Sequence, residues 1–337
     1  MLPPRLISRD VAGAGERSRL PALDYVKAAA IVAVALTHAI PFFDGGVTDT
    51  GMLAFALTGF HVPAFLLVSG FLSRAEAPVG WRHVAERLRR ILPPYFVATA
   101  VVWMLGWVRF PTVRKFVFKI VTGASLGHFY FIPILAFCFL LLPILSRLTG
   151  VQLIVTGVAL GGLTVATWMQ PAWRLTEIWF WQVRDPVLQF HVGYFLLGVL
   201  AARYRRELVD AFARHAAAIG LAAGIGIVGF ACVAAAQSPW AAHPLGRIAY
   251  TLAVVGLIVA LTPHRPAPAA VRFLSDATLT VYLYHWLVYP PLTPLAMPMS
   301  LGLRMLVLAG AGLSFGTLVV VAGRRLLGKR SHLLLGS

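Results

Sequence analysis

Long apolar runs, broken by short polar or Gly- and Pro-rich stretches, dominate the chain. Several approach the roughly 20 residues that an α-helix needs to cross a bilayer. They predict about ten spans, near 24–43, 52–73, 91–108, 128–147, 151–169, 186–203, 215–236, 246–262, 273–294 and 302–323. The expected fold class is an all-α, polytopic transmembrane helical bundle. Residues 1–20 read as a disordered basic tail, 21–327 as the transmembrane domain and 328–337 as a short second tail. The N-terminal tail lacks the apolar core of a cleavable signal peptide. Between Arg109 and Gly127, VRKFVFKIV is short, basic and amphipathic, which suits the membrane interface better than a span.

Composition agrees with this reading. Of 337 residues, 59% are hydrophobic and 12% charged, against roughly a quarter charged in soluble domains. A net charge of +17 would point to nucleic acid in a soluble protein. Here it follows from topology, because Lys and Arg collect in cytoplasmic loops, and no nucleic-acid partner is expected. With the N-terminus inside, only Arg109, Arg114, Lys115, Lys119, Arg174, Arg184, Arg247 and Arg304 of the 29 basic residues fall outside. The bias predicts both termini in the cytoplasm. Cys138 and Cys232 lie in apolar runs and read as small core residues, with no disulfide framework.

Ionisable residues inside spans are costly and usually face the bundle interior or a wet cavity. His38 and His285 fall well inside predicted spans, and His61, His128 and His191 near span ends. A structural histidine donating to a backbone carbonyl explains each of the last three as well as a functional role does. A buried pair such as His38 and His285 points to proton chemistry. HExxH is absent and no acidic residue lies mid-span, so no metal is expected.

On the cytoplasmic side, Arg74, Arg82, Arg87, Arg89 and Arg90 lie between the second and third spans. They read either as topology determinants or as an anion site, since guanidinium forks suit phosphates and Arg87 and Arg90 would share a helix face. Anionic lipid headgroups satisfy the same chemistry. Pro93 and Pro94 should end the helix just beyond. Asp24 and Lys27, one turn apart, read as an ion pair at the start of the first span.

In order and spacing these segments resemble the acyltransferase-3 family of integral membrane acyltransferases. The resemblance rests on Leu23-Asp24-x-x-Lys27 leading to His38, Ser69-Gly70-Phe71 followed by Arg74, and Arg87 to Tyr95. It continues with His128-Phe129-Tyr130-Phe131, Phe195-Leu196-Leu197-Gly198, and Thr278 to His285 with Tyr282. It covers about Leu20 to Arg325, with Lys27 where relatives carry Arg and Thr278 where Ser is commoner.

The resemblance implies a bacterial-type inner-membrane enzyme. It would move an acyl group, acetyl most commonly, from cytoplasmic acyl-CoA to a hydroxyl of an envelope glycan or lipid-linked sugar. His38 would be the general base, with His285, Tyr282 and Tyr130 orienting substrates or donating to the oxyanion. Arg74, Arg87 and Arg90 would hold CoA phosphates, and Asp24, Lys27, Ser69, His61 and His128 would support the site. Ser69 as an acylated relay is a minor variant. The competing reading is a transporter of glycan precursors with a histidine proton relay.

Overall fold

Regular structure is entirely helical among the residues described by the computed structural model, 19–40, 49–73, 77–109, 112–169, 187–262 and 266–336. The first half holds α1 (Pro21–His38), α2 (Asp49–Thr58), α3 (His61–Phe71), α4 (Trp81–Met104), α5 (Val113–Thr122), α6 (Phe131–Leu145) and α7 (Gly150–Met169). The second holds α8 (Val187–Arg203), α9 (Arg205–Ala235), α10 (Pro244–Leu261), α11 (Ala269–Tyr284), α12 (Tyr289–Ala296), α13 (Leu301–Leu327) and α14 (Ser331–Leu334). A 3₁₀ turn, His285–Val288, joins α11 to α12.

Among the described residues, five helical stretches are long and apolar enough to cross a membrane: Asp49–Phe71, Gly150–Met169, Arg205–Ala235, Pro244–Leu261 and Leu301–Leu327. Outward faces are apolar, as lipid requires. Leu221, Ile225 and Val228 form an exposed stripe on α9, and Val151, Val155 and Val158 one on α7. Cys232 is exposed on α9 rather than buried, whereas Cys138 lies in the core.

The interior is organised around α1. Its alanines and valines, among them Ala30, Ala33, Val34 and Ala35, are buried, and it packs on α3, α11 and α13. Small side chains let membrane helices approach closely where burial of apolar surface supplies no drive. At the contact of α3 with α8, two glycines meet the opposite backbone. A Cβ on Gly70 would run into the Phe195 carbonyl, and one on Gly198 into the Leu67 carbonyl.

Two expectations about the helices need correction. Pro93 and Pro94 do not end a helix, because α4 runs through both. Each proline frees one carbonyl, those of Arg89 and Arg90, and these residues are exposed, so the carbonyls can be solvated. The ninth predicted span is not one helix: α11 stops at Tyr284 and the chain turns, just before Pro290 and Pro291, whose rings disfavour helix in the residues preceding them. The short final segment packs on α11, where Thr280 donates to the Leu335 carbonyl (2.6 Å). The α5 segment, at 10 residues, is too short to span. Thr112 caps its start and left-handed Gly123 its end, with Val113, Phe116, Val117 and Val121 exposed.

Candidate active site

Four of the predicted histidines meet. The His38 ring centre lies 6.4 Å from that of His61, 5.1 Å from His128 and 5.1 Å from His285. His128 and His285 are 5.0 Å apart. His38 closes α1, His61 opens α3, His128 precedes α6 and His285 follows α11. The histidines thus sit at helix ends, where the backbone turns and free carbonyls are available to hold a ring.

Those carbonyls determine the tautomers. His285 Nδ1 faces the oxygens of Val281 (3.1 Å) and Tyr282 (2.9 Å). Carbonyls only accept, so Nδ1 carries the proton and Nε2 a lone pair. That Nε2 lies 3.0 Å from His38 Nδ1. His38 Nδ1–H therefore donates to His285, which leaves the lone pair of His38 on Nε2. His61 Nδ1 donates to the Thr58 carbonyl (2.7 Å). The His128 Nε2 is buried without a hydrogen-bond partner. The rings of His38, His61 and His285 thus carry the proton on Nδ1.

A cavity of about 890 Å³ opens beside this cluster. His38, His61, His128, His191 and Tyr130 line it. His285 and Tyr282 stand behind this lining. His61, His128 and His285 are buried, whereas His38 keeps partial exposure. The Tyr282 hydroxyl donates to the His128 carbonyl, which commits its one proton. Tyr130, with its ring 6.1 Å from that of His191, is the predicted tyrosine that reaches the cavity.

The remaining predicted residues lie elsewhere. Ser69 is half-buried on α3 and is not part of the cavity wall. Arg74 lies outside the described residues. Arg87 donates to the Leu72 carbonyl and to His83 Nε2 (3.3 Å), and Arg90 is exposed. Neither touches the cavity. Burial first, then the Arg87 charge, holds His83 below the ordinary histidine pKa.

The expected Asp24–Lys27 pair is replaced by a cross-helix network. Arg19 binds Asp24 through two nitrogens, at 2.7 and 2.8 Å, and Asp276 at 2.9 Å. Ser275 Oγ donates to Asp24 (2.7 Å), and Lys27 donates to the Ser275 carbonyl (3.1 Å). The network fastens the start of α1 to α11, and so holds the two helices that carry His38 and His285.

Sequence reasoning did not assign Arg247, Arg304, Trp286, Tyr250 or Tyr289 to the site, although all line the cavity. Arg247 and Arg304 appeared in the sequence only as topology charges. The short HPLGR segment before a span was the one available signal for Arg247.

A multi-pass helical membrane protein with a histidine-lined cavity is a class suited to reactions needing a base. More particularly, the chain belongs to the acyltransferase-3 family: the family's acyltransferase-domain model matches residues 20–323. It is therefore a membrane acyltransferase. No curated protein and no solved structure matched the chain.

Proposed function

We propose that the protein transfers an acyl group, acetyl in the simplest case, from cytoplasmic acyl-CoA to a hydroxyl of an envelope glycan or lipid-linked sugar, with His38 as general base. The observation that carries this reading is the His38 Nδ1–H···Nε2 His285 bond at 3.0 Å, which leaves the His38 Nε2 lone pair for the cavity. The acceptor hydroxyl gives its proton to Nε2 as its oxygen attacks the thioester carbonyl. The C–S bond then breaks, and the His38 imidazolium returns the proton to the departing thiolate. Tyr130 is the candidate donor to the oxyanion. His285 acts through His38 as a positioning residue, and Tyr282 holds the His128 segment. No acyl-enzyme is needed, which leaves Ser69 to packing.

In this reading ten spans cross a bacterial-type inner membrane with both termini in the cytoplasm. The CoA phosphates would sit near Arg74, Arg87 and Arg90. His38 lies 14 residues beyond Asp24, roughly 20 Å along a helix, so the donor's arm must extend through the bundle to reach it.

The test is transfer of label from [¹⁴C]acetyl-CoA to envelope glycans in membranes carrying the protein. His38→Ala should lower turnover by about 10²- to 10⁴-fold, the range for general acid–base catalysis, with unchanged insertion. Near-normal turnover in that variant removes His38 as base. A proton relay in a transporter could use the same His38–His285 bond. Export of a glycan precursor with no consumption of acyl-CoA would establish that reading instead.

A further inference from the structure

We propose that α5 is a docking surface for anionic phospholipid headgroups, and that the surface so bound holds the His128–Tyr130 segment in place. Neither half depends on the acyl-transfer reading. At 3.6 residues per turn, Val113, Phe116, Val117 and Ile120 fall on one side of α5, and Lys115 and Lys119 on the other, with Arg114 at the flank. Val113 is 79% exposed, Val117 51% and Val121 56%, so much of the apolar side faces outwards. Arg114 and Lys115 are exposed as well. A helix of 10 residues is marginal in water on its own. A membrane surface gives each side what it needs, acyl chains for the valines and headgroups for the cations.

Charge selects the kind of headgroup. No acidic residue occurs between Glu86 and Glu177, so α5 has no Asp or Glu to pair its cations along the helix. With Arg109, the three cations of α5 make up half of the basic residues that the proposed orientation places outside. Lys and Arg are otherwise scarce on that side. Topology therefore gives no reason for the cluster, whereas lipid phosphates do. The end of α5 is fastened to the cavity wall. Tyr95 of α4 donates to the Ile120 carbonyl (2.7 Å), and its ring meets that of Phe129 edge-on at 5.8 Å. Gly123, with φ of +73°, lies against the following turn: a Cβ there would come within 2.6 Å of the Phe129 carbonyl and 2.5 Å of the Tyr130 Cα. His128 and Tyr130 both line the cavity. A tilt of α5 thus reaches the wall through backbone contact.

The test uses the full chain in nanodiscs, with Cys138→Ser and Cys232→Ser and a fluorophore on Val117→Cys. Nitroxide-labelled phosphatidylglycerol should quench it more effectively than nitroxide-labelled phosphatidylcholine, by about fivefold or more in the mole fraction required, which is the effect of one cation at a charged surface. Arg114→Gln with Lys115→Gln should remove the preference and keep quenching by phosphatidylcholine, because the apolar side still lies in the interface. Equal quenching by the two lipids in the parent protein overturns the docking, as does a preference that survives the double substitution. Millimolar glycerol 3-phosphate should leave the preference intact; its loss would show a site for soluble phosphate esters and overturn the lipid assignment. Hydrogen exchange reads the second half. Phosphatidylglycerol should slow exchange of the backbone amides over 124–130 several-fold in the parent protein and not in the double variant. Exchange that is the same in both lipids overturns the coupling.

Discussion

The bond between His38 and His285 does two things for one ring: it fixes the orientation of the His38 imidazole and keeps its proton on the far nitrogen. With His38 as the proposed base, removing the bond should leave that base present but misdirected. His285→Ala is expected to lower kcat for acetyl transfer by about 10²-fold, with little change in KM for either substrate. His285→Gln should recover part of the loss, because its amide oxygen can accept from His38 Nδ1–H. A purely structural histidine would show no such rescue. An equal loss of kcat in both variants, with unchanged melting temperature, would end the positioning role. His38 itself was legible in the sequence, as an ionisable ring in an apolar run. His285 was legible as a second one. Their contact was not, because periodicity along one helix says nothing about which other helix it meets. The Asp24–Lys27 pairing failed for a related reason. Spacing identifies neighbours on a helix, but Arg19 brings a two-toothed guanidinium to Asp24 and outcompetes the single ammonium of Lys27.

At the level of elements, the contact of α3 with α8 carries the two Gly-containing motifs of the family resemblance. Neither glycine lines the cavity. Their role is to let two backbones touch, and so to hold His61, at the other end of α3, in the cluster. Gly198→Ala should push the helices apart, at a cost of about 1–3 kcal/mol, the usual range for overpacking. A lowered melting temperature in detergent and reduced activity are expected. Unchanged melting would show that the contact is looser than these backbone positions require. Most helix ends were readable to within several residues, because a lipid-facing segment must be both long and apolar. However, α4 and α9 each begin ten residues before the predicted span, in basic stretches that hydropathy does not mark. The interruptions were harder. Two prolines left α4 unbroken where carbonyls could reach water, while Pro290 and Pro291 stand just beyond a turn that creates the seat of His285. Proline has the same intrinsic effect in both places, and the surroundings decide whether a helix survives it.

For the whole molecule, the arrangement predicts a sidedness that thiol labelling can read. In a background with Cys138 and Cys232 replaced by Ser, a membrane-impermeant maleimide applied to intact cells should label Ala236→Cys and spare Arg82→Cys. The reverse pattern would invert the topology and put the arginines of α4 on the wrong side for a cytoplasmic donor. The helical bundle follows from hydropathy and the proposed orientation from charge, which are properties of segments. The cavity is a property of the assembled helices, which is why Arg247 and Arg304 looked like loop charges until the fold put them in one wall. The seam between α1 and α11 has a further consequence, in time. His38 and His285 are 247 residues apart. At a synthesis rate of about 5–20 residues per second, the first helix waits roughly 10–50 s before its partner exists. During that wait Asp24, Lys27 and His38 stand in the membrane without α11. A chain interrupted before α11 thus lacks the His38–His285 bond, and its Lys27 lacks the Ser275 carbonyl as acceptor, while Arg19 still pairs with Asp24.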